Sequence, residues 1–387
     1  MDHGEDPFDC FGNSSSDEEC DDIIDSNDEN KTIGDDASSS VSKNPPSQPA
    51  EGGKSSIAIK RDASCGVFAF HPHTEASLLT HVRNSLTSRE SSISLEKGSE
   101  EEKSSTLSKE NLQLILRRSN DVLHAIDEYC MSRHWMMHIG PEKGGILKES
   151  LKDKINNKSR SLNSMSSTGS SAPFVAVELG SYCGYAAILM GREFCETRLA
   201  ALSSNYSHPE LTNVDFHLFS MEINREYAEI AKEMIKLSGL ECMISVHQIS
   251  YNGHDTDVVD VIQDAMKTNF SLKGTSDCKT AIDFLFIDHD KDAYKPDLCK
   301  LENSGLIYRG AKVVADNVIF AQIEEYVAYV RKRQEEGIVQ TNTIPCLVEY
   351  CGDGEVRGDG AELSSHYSDG VGKSELVPFI CSVKKIN

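Results

Sequence analysis

The chain has 387 residues, a formal net charge of −23 and 38% hydrophobic residues, enough for one large domain or two ordinary ones. That acidic balance excludes a nucleic-acid backbone binder, which needs clustered Lys and Arg, and no apolar run reaches the roughly 20 residues that span a bilayer. The twelve cysteines are dispersed without a C-x-x-C pair, and the start MDHGEDPFDC lacks the basic and apolar parts of a secretory leader. Reduced thiols and a cytoplasmic location are therefore expected, with no structural zinc.

In chain order, residues 1–60 hold fifteen Asp/Glu against four Lys, with runs such as SSSDEECDD. This composition buries too little apolar surface to offset ordering entropy, so residues 1–62 are expected to form a disordered acidic tail. Ser14, Ser15 and Ser16 precede an acidic run and are candidate phosphorylation sites; a solubilising tail is the simpler reading. Residues 63–109 hold a modest apolar stretch, read as helical, and then a polar Ser/Glu/Lys insertion. From residue 110, NLQLILRRSNDVLHAIDEYCMSRHW has apolar residues at helical spacing, giving one or two helices. Further polar insertions fall near 153–172 and 203–214.

The pattern then changes. FVAVELGS (174–181), FHLFSMEI (216–223), MISVHQIS (243–250), AIDFLFID (281–288) and AKVVADNV (311–318) read as strands with helical stretches between them. Among those stretches, NREYAEIAKEMIKLSGL is an amphipathic helix stopped at Gly239. PCLVEY (345–350) and LVPFICSVKK (376–385) read as two closing strands without an intervening helix. The expected fold is α/β: a doubly wound, Rossmann-like, mostly parallel seven-stranded sheet with an antiparallel final strand and helices on both faces.

Ligands of such sheets lie beyond the carboxyl ends of the strands. Here those ends carry Glu178 with Gly180 and Gly184, then Glu222, Ser250, Asp288, Asp316-Asn317 and Glu349. E-x-G-x-x-x-G (178–184) is not a pyrophosphate loop, but with Glu222 suited to ribose hydroxyls it favours an adenosine ligand such as S-adenosylmethionine. A tight structural turn explains the glycines nearly as well. Asp288, Asp316 and Asn317 are all oxygen donors and suit a hard cation such as Mg²⁺; Asp316-Asn317 could equally cap a following helix. FLFIDHDKDAYKPD is no calcium loop, because an EF-hand needs Gly and Glu where Ala293 and Cys299 stand. Lys291 could take a proton beside a metal, or simply pair with Asp290 or Asp292. Trp135, the single tryptophan, fits either a core or a pocket wall.

AIDEYCMSRHWMMHIGPEKGGIL, VELGSYCGYAAILM, MEINREYAEIAKEM, FLFIDHDKDAYKPD, GAKVVADNVI and LVEY occur in order over residues 120–350. In these stretches the chain resembles the catechol O-methyltransferases. The resemblance implies that residues 110–387 form a methyltransferase domain moving a methyl group from S-adenosylmethionine to one hydroxyl of a small-molecule catechol, with Mg²⁺, as a monomer. It makes Asp288, Asp316 and Asn317 the metal ligands, Lys291 the general base, and Glu349 the holder of the second catechol hydroxyl. It places Glu222 at the ribose and Met221, Ser250, Tyr251 and His289 around the adenine, with Ile223 also among the cofactor-binding residues. Ile139, Glu178, Gly180 and Tyr182 line the methionine end, Ala186 and Asp288 are also cofactor-binding, and Trp135 and Met137 form part of the substrate wall.

Three positions depart from the family pattern. Asp290 stands for a tryptophan, Ala321 for a proline, and Ala186 for a serine that helps hold the cofactor carboxylate. A caffeoyl-CoA-type methyltransferase is one alternative, opposed by the AIDEYC and HWMMHIG segments. The other is a non-catalytic S-adenosylmethionine-binding regulator, which would not need Lys291.

Overall fold

A computed structural model of the chain describes residues 74–92, 108–164, 172–203, 208–249, 257–272, 280–319, 321, 323–347, 350 and 358–366. The acidic stretch 1–62, the strand expected at 376–385, and Ser250, Tyr251 and Glu349 lie outside the described residues.

Among the described residues three helices precede the sheet: α1 (Thr74–Ser92), α2 (Lys109–Ser132) and α3 (Gly140–Ser164). α2 is one continuous helix, started by Ser108, whose hydroxyl accepts the amide of Asn111 at 3.2 Å. α3 runs on to Ser164, so the first part of the expected insertion at 153–172 is helical. Its polar composition hides a buried stripe: Lys143, Leu147, Leu151, Lys154 and Ile155 recur at helical spacing and all are buried.

The sheet follows as β1 (Phe174–Leu179), β2 (Phe216–Glu222), β3 (Ile244–Gln248), β4 (Ile282–Ile287), β5 (Ile307–Ala315), β6 (Val339–Leu347) and β7 (Gly358–His366). Between them lie α4 (Tyr185–Ala201), α5 (Arg225–Ser238), α6 (Val258–Leu272), α7 (Tyr294–Asn303) and α8 (Glu324–Glu335). The strand order is β3-β2-β1-β4-β5-β7-β6, parallel throughout except for β7, which pairs antiparallel with both β5 and β6. This is the expected mixed, doubly wound sheet.

The two last strands differ in position from the sequence reading. β6 begins at Val339 rather than 345, and β7 is GDGAELSSH, a polar, glycine-bearing run with no hydrophobic pattern to mark it. β7 is placed by two hydrogen-bonded neighbours, β5 and β6, and by one short apolar pair, Ala361 and Leu363, buried on the first core.

Alternation along β1 sends Phe174 and Ala176 to one face and Val175, Val177 and Leu179 to the other. The first face packs under α1–α5, where Phe194 and Phe216 stack at 5.1 Å. The second packs under α6–α8. The strand order turns around between β1 and β4, which puts the crevice for a ligand at their carboxyl ends.

Candidate active site

The loops beyond the strand ends are tied to one another by the backbone. The amides of Gly180 and Ser181 donate to Met221 O at 2.9 and 3.1 Å, Asp288 N donates to Leu179 O at 2.9 Å, and Asp316 N to Ile287 O at 3.0 Å. Gly180 is required by this junction. It holds φ +96°, and a Cβ there would overlap the carbonyl of Asp288, with the carbonyl carbon at 2.7 Å. Its close approach is thus to the chain's own β4 loop.

On the β1–β2 side, Glu222 is buried and its carboxylate accepts the amides of Tyr182 and Asn224, each at 2.8 Å. Burial raises its pKa, and those backbone donors hold the rise down. Glu178 is fully buried; Ser220 donates to it and Ser181 joins Ser220. Desolvation pushes the Glu178 carboxyl up to about 8, and its second oxygen, Oε1, has no hydrogen-bond partner among the described residues. Tyr182, at φ +45°, turns its hydroxyl to Glu75 of α1 at 2.8 Å. Ile139, Ala186 and Met221 are buried in the core around this loop, whereas Ile223 is 58% exposed. His289 stacks on Tyr294 at 5.3 Å and meets Asp297 at 3.1 Å.

On the β4–β5 side the predicted cation ligands converge on an ammonium. Lys291 Nζ donates to Asp288 Oδ1 at 2.9 Å, to Asn317 Oδ1 at 3.0 Å and to Tyr294 OH at 2.8 Å. Lys291 therefore does not pair with Asp290 or Asp292. Asp290 is exposed and instead accepts the amide of Asp292 at 3.1 Å, capping a short turn over Lys291–Ala293. Nor does Asp316-Asn317 cap a helix, since α8 starts only at Glu324. Asn317 stands at φ +58°, and Asp316 Oδ1 accepts its amide at 2.7 Å. Among the described residues no three His, Cys, Asp or Glu side chains form a metal-ligating group. The donor set is two carboxylates and an amide, hard oxygens that fit Mg²⁺, and a cation of the chain's own already lies between two of them.

Trp135 and Met137, in the segment between α2 and α3, are half-buried, and Trp135 packs against the first core. Ala321 is half-buried on the second core, its amide on Asn317 O at 3.0 Å. Tyr350, next to Glu349, donates to Asp127 of α2 at 2.6 Å.

Two residues absent from the sequence reading stand in this site. Lys143 of α3 is 1% exposed and pairs with Asp316 Oδ2 at 2.9 Å. His138 is buried between Tyr182 and Tyr185, with ring centroids at 5.1 and 5.5 Å. Desolvation lowers its pKa to about 3, and its Nε2 has no hydrogen-bond partner among the described residues. The signal for Lys143 was the α3 stripe, which places it one turn before Leu147; nothing local marks His138.

A family model described as O-methyltransferase matches residues 171–343. Catechol O-methyltransferase of Mus musculus is 32% identical over 210 residues, 54% of this chain and 60% of that protein. The Sus scrofa catechol O-methyltransferase is 31% identical over 195 residues, 50% of this chain and 78% of its own length. A probable O-methyltransferase of Mycobacterium tuberculosis is 27% identical over 215 residues, 56% of this chain and 72% of that protein. The chain spans about 60% of the length of the Mus musculus and Bos taurus relatives.

Proposed function

Because the chain belongs to the O-methyltransferase family that includes the catechol O-methyltransferases, we propose that it transfers the methyl group of S-adenosylmethionine to one hydroxyl of a catechol, with Mg²⁺. The observation that carries this reading is the Lys291 ammonium within 3.0 Å of both Asp288 Oδ1 and Asn317 Oδ1. The amine that would serve as base and two oxygen donors stand together beyond the ends of β4 and β5, beside the β1–β4 turnaround where ligands of such sheets bind.

The cofactor side would be held by Glu222 on the ribose, with Glu178 and the Gly180–Tyr182 loop at the methionine end. The buried, unpartnered Oε1 of Glu178 suits the cofactor's ammonium. A divalent cation held by Asp288, Asp316 and Asn317 would supply Lewis acidity toward a catechol oxygen. Lys291, once its ammonium has released a proton to solvent, would accept the hydroxyl proton at Nζ as the neutral amine, and the rigid strand ends would orient the oxygen on the sulfonium methyl. Orientation of this kind removes about 7–11 kcal/mol from a bimolecular barrier. Trp135 and Met137 would wall the ring, and Glu349 would take the second hydroxyl. Asp290, exposed at the edge of the site, would make its mouth polar.

The test is methyl transfer from labelled S-adenosylmethionine to a panel of catechols, with Mg²⁺ and with EDTA. Transfer that stops in EDTA and returns with Mg²⁺ is expected; transfer unaffected by EDTA would remove the cation from the reading. Lys291→Ala is expected to lower kcat by about 10²–10⁴-fold, the range of a positioned proton acceptor, with little change in S-adenosylhomocysteine affinity. An equal loss in both would deny Lys291 the role of base. Cofactor binding without transfer to any catechol would favour the non-catalytic regulator.

A further inference from the structure

Around the cation site, two carboxylates meet two lysines. Asp288 pairs with Lys291 at 2.9 Å and Asp316 with Lys143 at 2.9 Å. Asn317 joins the pairs, donating its amide to Asp316 and accepting Lys291 on its side chain. The four formal charges cancel before any divalent ion arrives.

The two lysines are held differently. Lys291 has a quarter of its side chain exposed and sits on the short turn Lys291–Ala293, so its ammonium can yield its place. Lys143 and Asp316 are 1% and 2% exposed. The helix carrying Lys143 packs so closely on α4 that a Cβ on the next residue, Gly144, would lie 2.7 Å from Leu189 Cδ1. Lys143 is shut off from solvent on a closely packed helix. A well-packed apolar pair would serve stability as well as a buried ion pair does, so stability alone does not account for an ammonium here.

We propose that Lys143 is a positioning residue: a resident counter-charge that keeps Asp316 aimed at the site when no cation is present and holds the affinity for a divalent cation down. The inference rests on the cation part of the reading above. When a divalent ion enters, Lys291 moves off Asp288 and Asn317, while Lys143 stays on Asp316 Oδ2. The ion then competes with a fixed positive charge for the same carboxylate, a repulsion that a buried setting screens weakly.

The test uses Mn²⁺ as the probe, followed by loss of the free-ion electron paramagnetic resonance signal, on the full chain with S-adenosylhomocysteine. Lys143→Met is expected to bind Mn²⁺ at least tenfold more tightly than the wild type, and Lys143→Arg to stay within threefold of it. A lysine that merely braces Asp316 predicts the reverse, weaker binding in Lys143→Met. Unchanged or weaker binding there, or Lys143→Arg behaving like Lys143→Met, would overturn the proposal. If circular dichroism shows that Lys143→Met does not fold, Lys143→Gln carries the same expectation. Absence of Mn²⁺ binding in the wild type and every variant would overturn the cation reading itself. Binding by the wild type with no gain in Lys143→Met or Lys143→Gln would overturn this inference alone.

Discussion

At Gly180 a conformational demand and a steric one coincide: φ is +96°, and the Asp288 carbonyl occupies the space of a Cβ. Left-handed backbone costs an L-residue about 1–2 kcal/mol, and the overlap adds to it. Gly180→Ala is therefore expected to lower stability by about 2 kcal/mol or more, a fall of roughly 4–8 °C in Tm, and to weaken cofactor binding because Asp288 is displaced. Calorimetry with a binding titration checks both; an unchanged Tm would mean the two loops part easily. His138 makes a different prediction. Its ring is buried and neutral, with a pKa lowered to about 3 from 6.5, so the unfolded chain binds a proton that the folded chain refuses. Stability from this site is full above pH 6.5 and drains as pH falls toward 3, by roughly 4–5 kcal/mol. His138→Leu should lose less stability between pH 7 and pH 4 than the wild type in urea titrations; parallel losses would show that His138 protonates without unfolding. His138 had no signal in the sequence and Lys143 only its place on the α3 stripe, because their partners Tyr182, Tyr185 and Asp316 are brought to them only by the packing of α3 and its entry segment. Asp288, Lys291 and Asn317 were legible because a strand end fixes where a side chain points.

At the scale of elements, α3 is fastened to the sheet at both ends. Lys143 reaches Asp316 beyond β5, and eleven and fifteen residues later Lys154 and Lys158 reach Asp283 in β4 at 3.7 and 2.6 Å. These spacings fall on one helical face, and fifteen residues span about 22 Å, so one helix links the candidate site at the carboxyl ends of the strands to the amino end of β4. Asp283 is 1% exposed and also accepts Val175 N at 2.9 Å and the Tyr308 hydroxyl. Asp283→Asn leaves two lysines without their anion and is expected to cost about 3–5 kcal/mol, read as a lower urea midpoint. Lys158→Met should cost less, since Lys154 and Tyr308 remain. Equal costs would mean that Lys158 alone balances Asp283. The same helix explains a limit of pattern reading: KINNKSRSLNS looks like an insertion by composition, yet its lysines point inward to a buried acid. β7 was hidden for a related reason. Its one alternating apolar pair, Ala361 and Leu363, is too short to stand out in a polar run and is backed by hydrogen bonds to β5 and β6, whereas β1, β2 and β4 are wholly buried and announce themselves as apolar runs.

For the whole molecule, the sheet separates two hydrophobic cores, one under α1–α5 and one under α6–α8. The candidate cofactor residues belong to both: Ile139 and Ala186 lie in the first core and Met221 in the second. A ligand seated there stabilises both layers together. S-adenosylhomocysteine at a hundred times its Kd should add about 2.7 kcal/mol, which for a domain of this size is roughly 5–11 °C in Tm. The shift should appear as one calorimetric transition moving intact, because β1 contributes side chains to both cores and cannot melt from one alone. Two transitions, only one of them moved by the ligand, would show that the layers unfold separately and that the cofactor is held by a single face. Mg²⁺ added to the S-adenosylhomocysteine complex should raise Tm again if Asp288, Asp316 and Asn317 hold it. A complex whose Tm ignores Mg²⁺ at millimolar concentration would leave Lys291 as the resident cation of that site.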